Sequence, residues 1–181
     1  MLDAAWVVYR AVPAAIDERA LEAGLAGACA GEIAIALAAA KALAVSQTHP
    51  GTLVLGSDSL VEVSGRRFNK PASRADAAEH LRQFSGQAMQ LHSAAALVRD
   101  GEVVWQHGEC AVLQVRALSA TFIEQYLAAE WPEVAGCVGV FRIEARGVQL
   151  FEAIAGSHFT VLGMPLLAVL AALRQFGALA A

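Results

Sequence analysis

Cysteine is scarce in this chain, with three in 181 residues. Cys29, Cys110 and Cys137 are an odd set without a Cys-x-x-Cys spacing, which excludes a disulfide framework and a cysteine-ligated zinc site. They are expected as reduced thiols in the core. The five histidines, His49, His80, His92, His107 and His158, have no metal-ligand spacing either and are expected in surface or core roles. Basic residues are few and scattered: 13 Lys and Arg stand against 17 Asp and Glu, for a net charge of −4. A face built to neutralise a nucleic-acid backbone needs them clustered, so nucleic acid is not an expected partner, while a small nucleotide is compatible. Long apolar runs are missing too. The hydrophobic fraction is 57%, yet charged residues interrupt each stretch before the roughly 18 to 20 residues that cross a bilayer. The nearest candidate, Phe159 to Leu173, contains Gly163 and Pro165 and reads as a turn followed by a buried helix. "MLDAAWVVYR" lacks the basic start and apolar core of a secretory leader, so a cytoplasmic location is expected.

What is present fits a single domain, residues 1–181, large enough to bury a core. "GEIAIALAAAKALAV", Gly31 to Val45, carries apolar residues at helical spacing and predicts an amphipathic helix. "TLVLGSDSLVEV" predicts a buried strand, broken around Gly56 to Asp58, ahead of a turn at Ser64-Gly65. Ser73 to Phe84 predicts a helix with Ser73 as N-cap and Gly86 as its stop. "LHSAAALVRDG" and "EVVWQHGECAVLQV" predict two strands joined at Asp100-Gly101, a hairpin signal. Ser119 to Glu130 is a third helix with a serine cap. "CVGVFRIEARGVQLFEAIAG" and "HFTVLG" read as strands, and a last helix begins at Pro165. The alternation predicts an α/β fold, a mixed twisted sheet with flanking helices.

Four charged residues stand out. Asp58 follows a buried strand, where ligand clefts of α/β proteins form, but an aspartate in Gly-Ser-Asp-Ser also forms turns. Lys70, held extended before Pro71, can aim an ammonium at phosphate or simply be solvated. Asp17-Glu18-Arg19 can be the polar start of a helix, and Lys41 the exposed edge of the alanine-rich one. Together they suit a single chemical purpose, with two carboxylates to hold a divalent cation and activate water, and two lysines to neutralise a polyphosphate.

"VPAAIDE", "LAAAKALAV", "LVLGSDSLVEVSGRRFNKPASRADAAEHLRQFSGQ", "VRALSATFIEQYL" and "GCVGVFRIEARGVQLFEAIAGSHFTVLGMPL" resemble, in order and spacing, the successive blocks of the Maf-like nucleotide pyrophosphatases over nearly the whole chain. The resemblance implies an inosine-triphosphatase-like, two-lobed mixed α/β domain with a central nucleotide cleft. It implies hydrolysis of nucleoside triphosphates to the monophosphate and pyrophosphate with a divalent metal cation, Mg2+ or Mn2+. Asp58 matches the catalytic aspartate, a proton acceptor or metal-bound carboxylate, and Glu18 its acidic partner at the metal. Lys41 and Lys70 match the two phosphate-contacting lysines. Ser59 and Glu144 match positions tied to base selectivity, with Arg142 and Arg146 flanking the same loop. The block "GCVGVFRIEARG" resembles the branch acting on 7-methylguanosine triphosphate, not the thymidine- and uridine-preferring one. An N7-methylated guanine is positively charged, and Glu144 could pair with it while accepting from N1 and N2. The implied partner is the nucleotide, with no membrane, and the resemblance leaves room for a homodimer.

The family's opening block, approximately Ala-Ser-x-Ser-x-x-Arg-Arg, has no counterpart here. Ala145 stands where a glycine is usual, and Ser157-His158 where acidic-aromatic pairs are common. Two readings of the missing block compete: a start site placed inside the natural protein, or a shortened relative that has lost catalysis. The alternative to an enzyme is therefore a catalytically inactive nucleotide-binding or regulatory protein. A purely structural interaction domain is a third reading.

Overall fold

The computed structural model describes residues 1–180. Its strands are β1 (Val54–Val63), β2 (Arg66–Phe68), β3 (Ala88–Arg99), β4 (Glu102–Val115) and β5 (Phe151–Ala155), in one sheet of order β2-β1-β3-β4-β5. Its α-helices are α1 (Glu18–Gly24), α2 (Ala30–Ser46), α3 (Arg74–Phe84), α4 (Ala120–Glu130), α5 (His158–Val161) and α6 (Leu166–Gln175). The backbone divides into two compact units. One comprises Met1–Ser59, Ser93–Glu109 and the chain from His158 onward; the other comprises Leu60–His92 and Cys110–Ser157.

In the first unit, α1 starts at Asp17, whose carboxylate accepts from Ala20 N at 3.0 Å, and packs on α2. Helix α2 starts where Cys29 N donates to Glu32 Oε2 at 2.8 Å. Its buried face is Ile33, Ala34, Leu37, Ala38 and Ala42, at the spacing that the sequence predicts. The rest of the helix is largely half-buried alanine rather than a polar face, so it is less amphipathic than expected. Ala95 and Leu97 of β3 pack with Val169, Ala172 and Leu173 of α6 as a dry cluster. Burial of apolar surface of this kind is the main favourable term in folding.

Strand β1 is continuous, against the expected break at Gly56 to Asp58. Gly56 makes this workable. A Cβ at this position would lie 2.2 Å from Ala38 O and 2.9 Å from Ala42 N, both backbone atoms of α2. Glycine inside a strand marks the point where another backbone comes close.

In the second unit, β1 and β2 pair antiparallel with Val61 opposite Phe68 and Val63 opposite Arg66. Ser64 and Gly65, at φ 52° and 75°, form the turn. Ser73 caps α3 by accepting from Asp76 N at 3.1 Å, and Ser119 caps α4 by accepting from Phe122 N at 3.1 Å. The two helices pack together, with Arg74 paired to Glu124 at 2.9 Å. Phe68 meets Phe84 edge to face at 4.7 Å. Strand β5 pairs antiparallel with β4, Leu113 opposite Ile154.

Two strand expectations are corrected. Of "CVGVFRIEARGVQLFEAIAG" only Phe151–Ala155 is a strand. Val140 sits at φ 56° and its carbonyl accepts from the buried Tyr126 hydroxyl at 2.9 Å, which folds the preceding residues into a loop instead. "HFTVLG" opens as the one-turn helix α5, closed by Leu162 N donating to His158 O at 3.1 Å. The thiols are free as expected, but they are not core residues: Cys29 and Cys110 are exposed and Cys137 is half-buried. Among the described residues, no helix is long and apolar enough to cross a membrane.

Gly56→Ala should force α2 off β1, since the atoms in the way are backbone and cannot rotate aside. The expected cost is at least about 2 kcal/mol, or roughly 5 °C in melting temperature. A variant melting with the parent in a calorimeter would mean that the two elements are not in such close contact.

Candidate active site

Strand alternation sends Gly56 and Asp58 toward α2 and sends Ser57 and Ser59 to the opposite face. The approach at Gly56 therefore lets the next helix residue in line, Lys41, reach Asp58. Lys41 Nζ lies 2.5 Å from Asp58 Oδ1 and 2.9 Å from Glu18 Oε1. Glu18 is the first residue of α1, where a carboxylate is favoured by the unsatisfied N–H groups of the helix start. The Asp58 side chain is 10% exposed, Lys41 24% and Glu18 49%, so the cluster is buried at its base and open at its rim.

Burial pushes the Asp58 carboxyl above its ordinary 3.8, and Glu18 and Glu22 add to the rise; the hydrogen bond and charge of Lys41 oppose it without cancelling it. Burial pulls the Lys41 ammonium down, but its bonds to Asp58 and Glu18 outweigh that and leave it raised. Both directions hold together because two further carboxylates bear on Asp58, while Lys41 sees carboxylate on two sides. The pair is therefore an ammonium that stays charged and a carboxyl shifted toward neutrality.

Among the described residues, no group of three or more His, Cys, Asp and Glu gathers to hold a metal. The donor set nevertheless fits a hard divalent cation. Two carboxylates already converge on one cationic atom, and Mg2+ is commonly held by one or two carboxylates, with water and substrate phosphate completing its shell. Ser59 Oγ is engaged on the far face, 3.0 Å from Gly163 O and 2.9 Å from Ser93 Oγ. A cavity of about 760 Å3 in the first unit reaches Lys41, Gly56 and Ser57. Its walls are mainly Leu2, Val7, Leu53, Leu55 and Leu97, and neither Asp58 nor Glu18 lines it. Tyr9, Arg10, Lys41, His49, Thr52 and Ser57 are its polar lining residues.

The remaining predicted residues belong to the second unit. Lys70 is exposed, between β2 and α3, with Pro71 buried behind it; Asp76 Oδ2 accepts from Ala72 N at 2.9 Å and so braces this loop. Arg142 is held by Glu130, whose Oε2 accepts from its Nη2 at 3.0 Å and Nε at 3.3 Å. Glu144 and Arg146 are exposed in the same loop. Lys70, Arg142 and Glu144 all act on Cys137: burial raises its thiol pKa and Glu144 adds to this, while Arg142 and Lys70 work against it. The residues thus fall into two groups, one centred on Lys41 and one around Cys137.

Sequence reasoning missed Gly56, Ser57, Glu130, Cys137 and Gly163. For Glu130 there was a signal: an acid at the C-terminal end of α4 opposes the carbonyl ends there and calls for a cation. For Gly163 there was none, since its partners are about a hundred residues away.

Lys41→Met would leave Asp58 buried without its cation, at an expected cost of about 1–3 kcal/mol near neutral pH. Without Lys41 the Asp58 carboxyl rises further, so the ionised form is the costly one. The deficit should shrink as pH falls through that raised value, measured by denaturation at neutral pH and again in acid. A deficit that does not depend on pH would mean that the loss comes from packing.

A comparison with protein families matches residues 1–176 to the one described as "Maf-like protein". A protein of Mesorhizobium japonicum named 7-methyl-GTP pyrophosphatase is 46% identical over 181 residues, covering 99% of this chain and 91% of its own. A Nitrobacter hamburgensis protein named nucleoside triphosphate pyrophosphatase is 45% identical over 179 residues, covering 99% and 89%. A Rhizobium meliloti protein named 7-methyl-GTP pyrophosphatase is 44% identical, covering 99% and 91%. With an acid–lysine–acid cluster formed by three of its blocks and matches of this extent, the chain belongs to the Maf-like protein family.

Proposed function

We propose that this protein is a nucleoside triphosphate pyrophosphatase that releases pyrophosphate and leaves the monophosphate. The observation that carries the proposal is the convergence of Glu18 and Asp58 on Lys41, in a chain similar over nearly its full length to proteins named for that activity. In this reading water attacks the α-phosphorus. The new P–O bond forms as the bond to the pyrophosphate oxygen breaks, and the water proton passes to Asp58. A carboxyl raised above its ordinary value is a better proton acceptor near neutrality than an unperturbed one. Lys41 would stabilise the negative charge that develops on the phosphate oxygens, and Lys70 is assigned the same role. A divalent cation, Mg2+ or Mn2+, would be held by Asp58 and Glu18 and, when bound, would supply charge neutralisation for the triphosphate.

For the base, Glu144 is assigned the positive ring of 7-methylguanine, with Arg142 and Ser59 contributing to selectivity, so 7-methyl-GTP is the first substrate to test. We place the activity in the cytoplasm, the compartment of nucleoside triphosphate metabolism.

Incubation with a nucleotide panel and Mg2+ or Mn2+ should release pyrophosphate, fastest from 7-methyl-GTP; no release from any nucleotide would reject the assignment. Asp58→Asn should lower the rate at least roughly 100-fold. Because protonated Asp58 cannot accept the water proton, kcat/KM should fall as pH drops through a value above the ordinary 3.8 of an aspartate. Glu144→Gln should cost roughly tenfold on 7-methyl-GTP by removing a charge-assisted contact, and little on unmethylated GTP. An equal effect on both would take base recognition away from Glu144.

A further inference from the structure

Behind Asp58, on the face of β1 away from α2, three serine hydroxyls meet the turn that follows α5. Ser93 Oγ donates to Thr160 O at 2.8 Å, Ser59 Oγ to Gly163 O at 3.0 Å and Ser57 Oγ to Ala94 O at 2.9 Å. Each hydroxyl has one proton, and Ser57 shares its proton between two carbonyls, Ala94 O and Gly163 O. Ser57 Oγ also lies 3.2 Å from Gly163 O, which brings both neighbours of Asp58 onto one carbonyl.

That carbonyl is itself fixed. Gly163 N donates to Thr160 O at 3.0 Å. Thr160 is fully buried, and its hydroxyl donates to the Glu109 carboxylate. Gly163 has φ 100°, a conformation that L side chains rarely adopt, and a Cβ there would come within 3.2 Å of Ser59 Oγ. The turn is shaped to present its carbonyl to the two serines.

We propose that the 160–163 turn is a positioning element for Asp58: the Gly163 carbonyl holds Ser57 and Ser59 from behind the strand and fixes the direction in which the carboxylate leaves β1. This rests on the reading of Asp58 as the reacting carboxylate. Neither Gly163 nor Ser57 touches the reacting atoms; they act through the strand. Small displacements of a reacting group are costly, about 100-fold for 1 Å.

The test is the pair of variants Ser57→Ala and Ser59→Ala, singly and together, with Ser57→Thr and Ser59→Thr as the conservative forms that keep the hydroxyl. The double variant should lose roughly 10- to 100-fold in kcat, and Ser57→Ala, which removes no assigned substrate contact, should leave KM within about twofold. In its crystal structure the separation of Lys41 Nζ from Asp58 Oδ1 should open from 2.5 Å to beyond about 3.5 Å. Ser57→Ala alone should show the same pattern more weakly, which keeps the test available if the double variant does not fold. The threonine forms should recover most of kcat. An unchanged ion-pair distance, or a loss seen in melting temperature alone, would overturn the proposal. So would a silent Ser57→Ala, whatever Ser59→Ala does to KM, because Ser59 is also assigned to base selectivity. If the unaltered protein releases no pyrophosphate, the functional reading fails, while the ion-pair distance still decides the positioning role.

Discussion

The chemistry proposed for this protein depends on a backbone approach that has no charge in it. At Gly56, α2 comes so near β1 that a single methyl group would collide with the helix backbone. Because α2 is alanine-rich and β1 lacks a side chain at that point, helix and strand close up, and Lys41 is carried to Asp58. Hydrogen bonds of 2.5 and 2.9 Å then follow from geometry already settled by packing. Close-packed interiors transmit such constraints with little slack.

Strand β1 serves two purposes through its alternation. One face carries Gly56 and Asp58, the contact and the carboxylate; the other carries Ser57 and Ser59, which tie the strand to the turn after α5. The carboxylate proposed to react, carried on a strand secured on both sides, would start close to the geometry it needs, with little ordering left for the moment of reaction. The ammonium between the two carboxylates meanwhile offsets the cost of holding Asp58 nearly buried.

Features whose partners lie a few residues away were legible in the sequence. Ser73 and Ser119 cap their helices by accepting from their own backbone, and Asp100-Gly101 and Ser64-Gly65 turn the chain at positive φ. The elements that misled depend on distant partners. Gly56 looks like a strand break until α2 is placed over it. The loop before β5 looks like a strand until the Tyr126 hydroxyl takes the Val140 carbonyl. His158 to Val161 look extended until Thr160 is bound by Glu109. In the site, Glu18, Lys41 and Asp58 were identified through the order of the blocks, and the structure brings these three side chains together. Glu130, which holds Arg142, could only be suspected from an acid at the wrong end of a helix.

The phenol of Tyr126 has a consequence for the second unit. Burial, with the nearby Glu130 charge, pushes its ionisation far above the ordinary 10, so across the whole biological range this group remains a neutral donor to Val140. The backbone beside Arg142 and Glu144 is thereby tethered by a bond that does not loosen with acidity. The loop proposed to read the base would then keep this backbone anchor over that range.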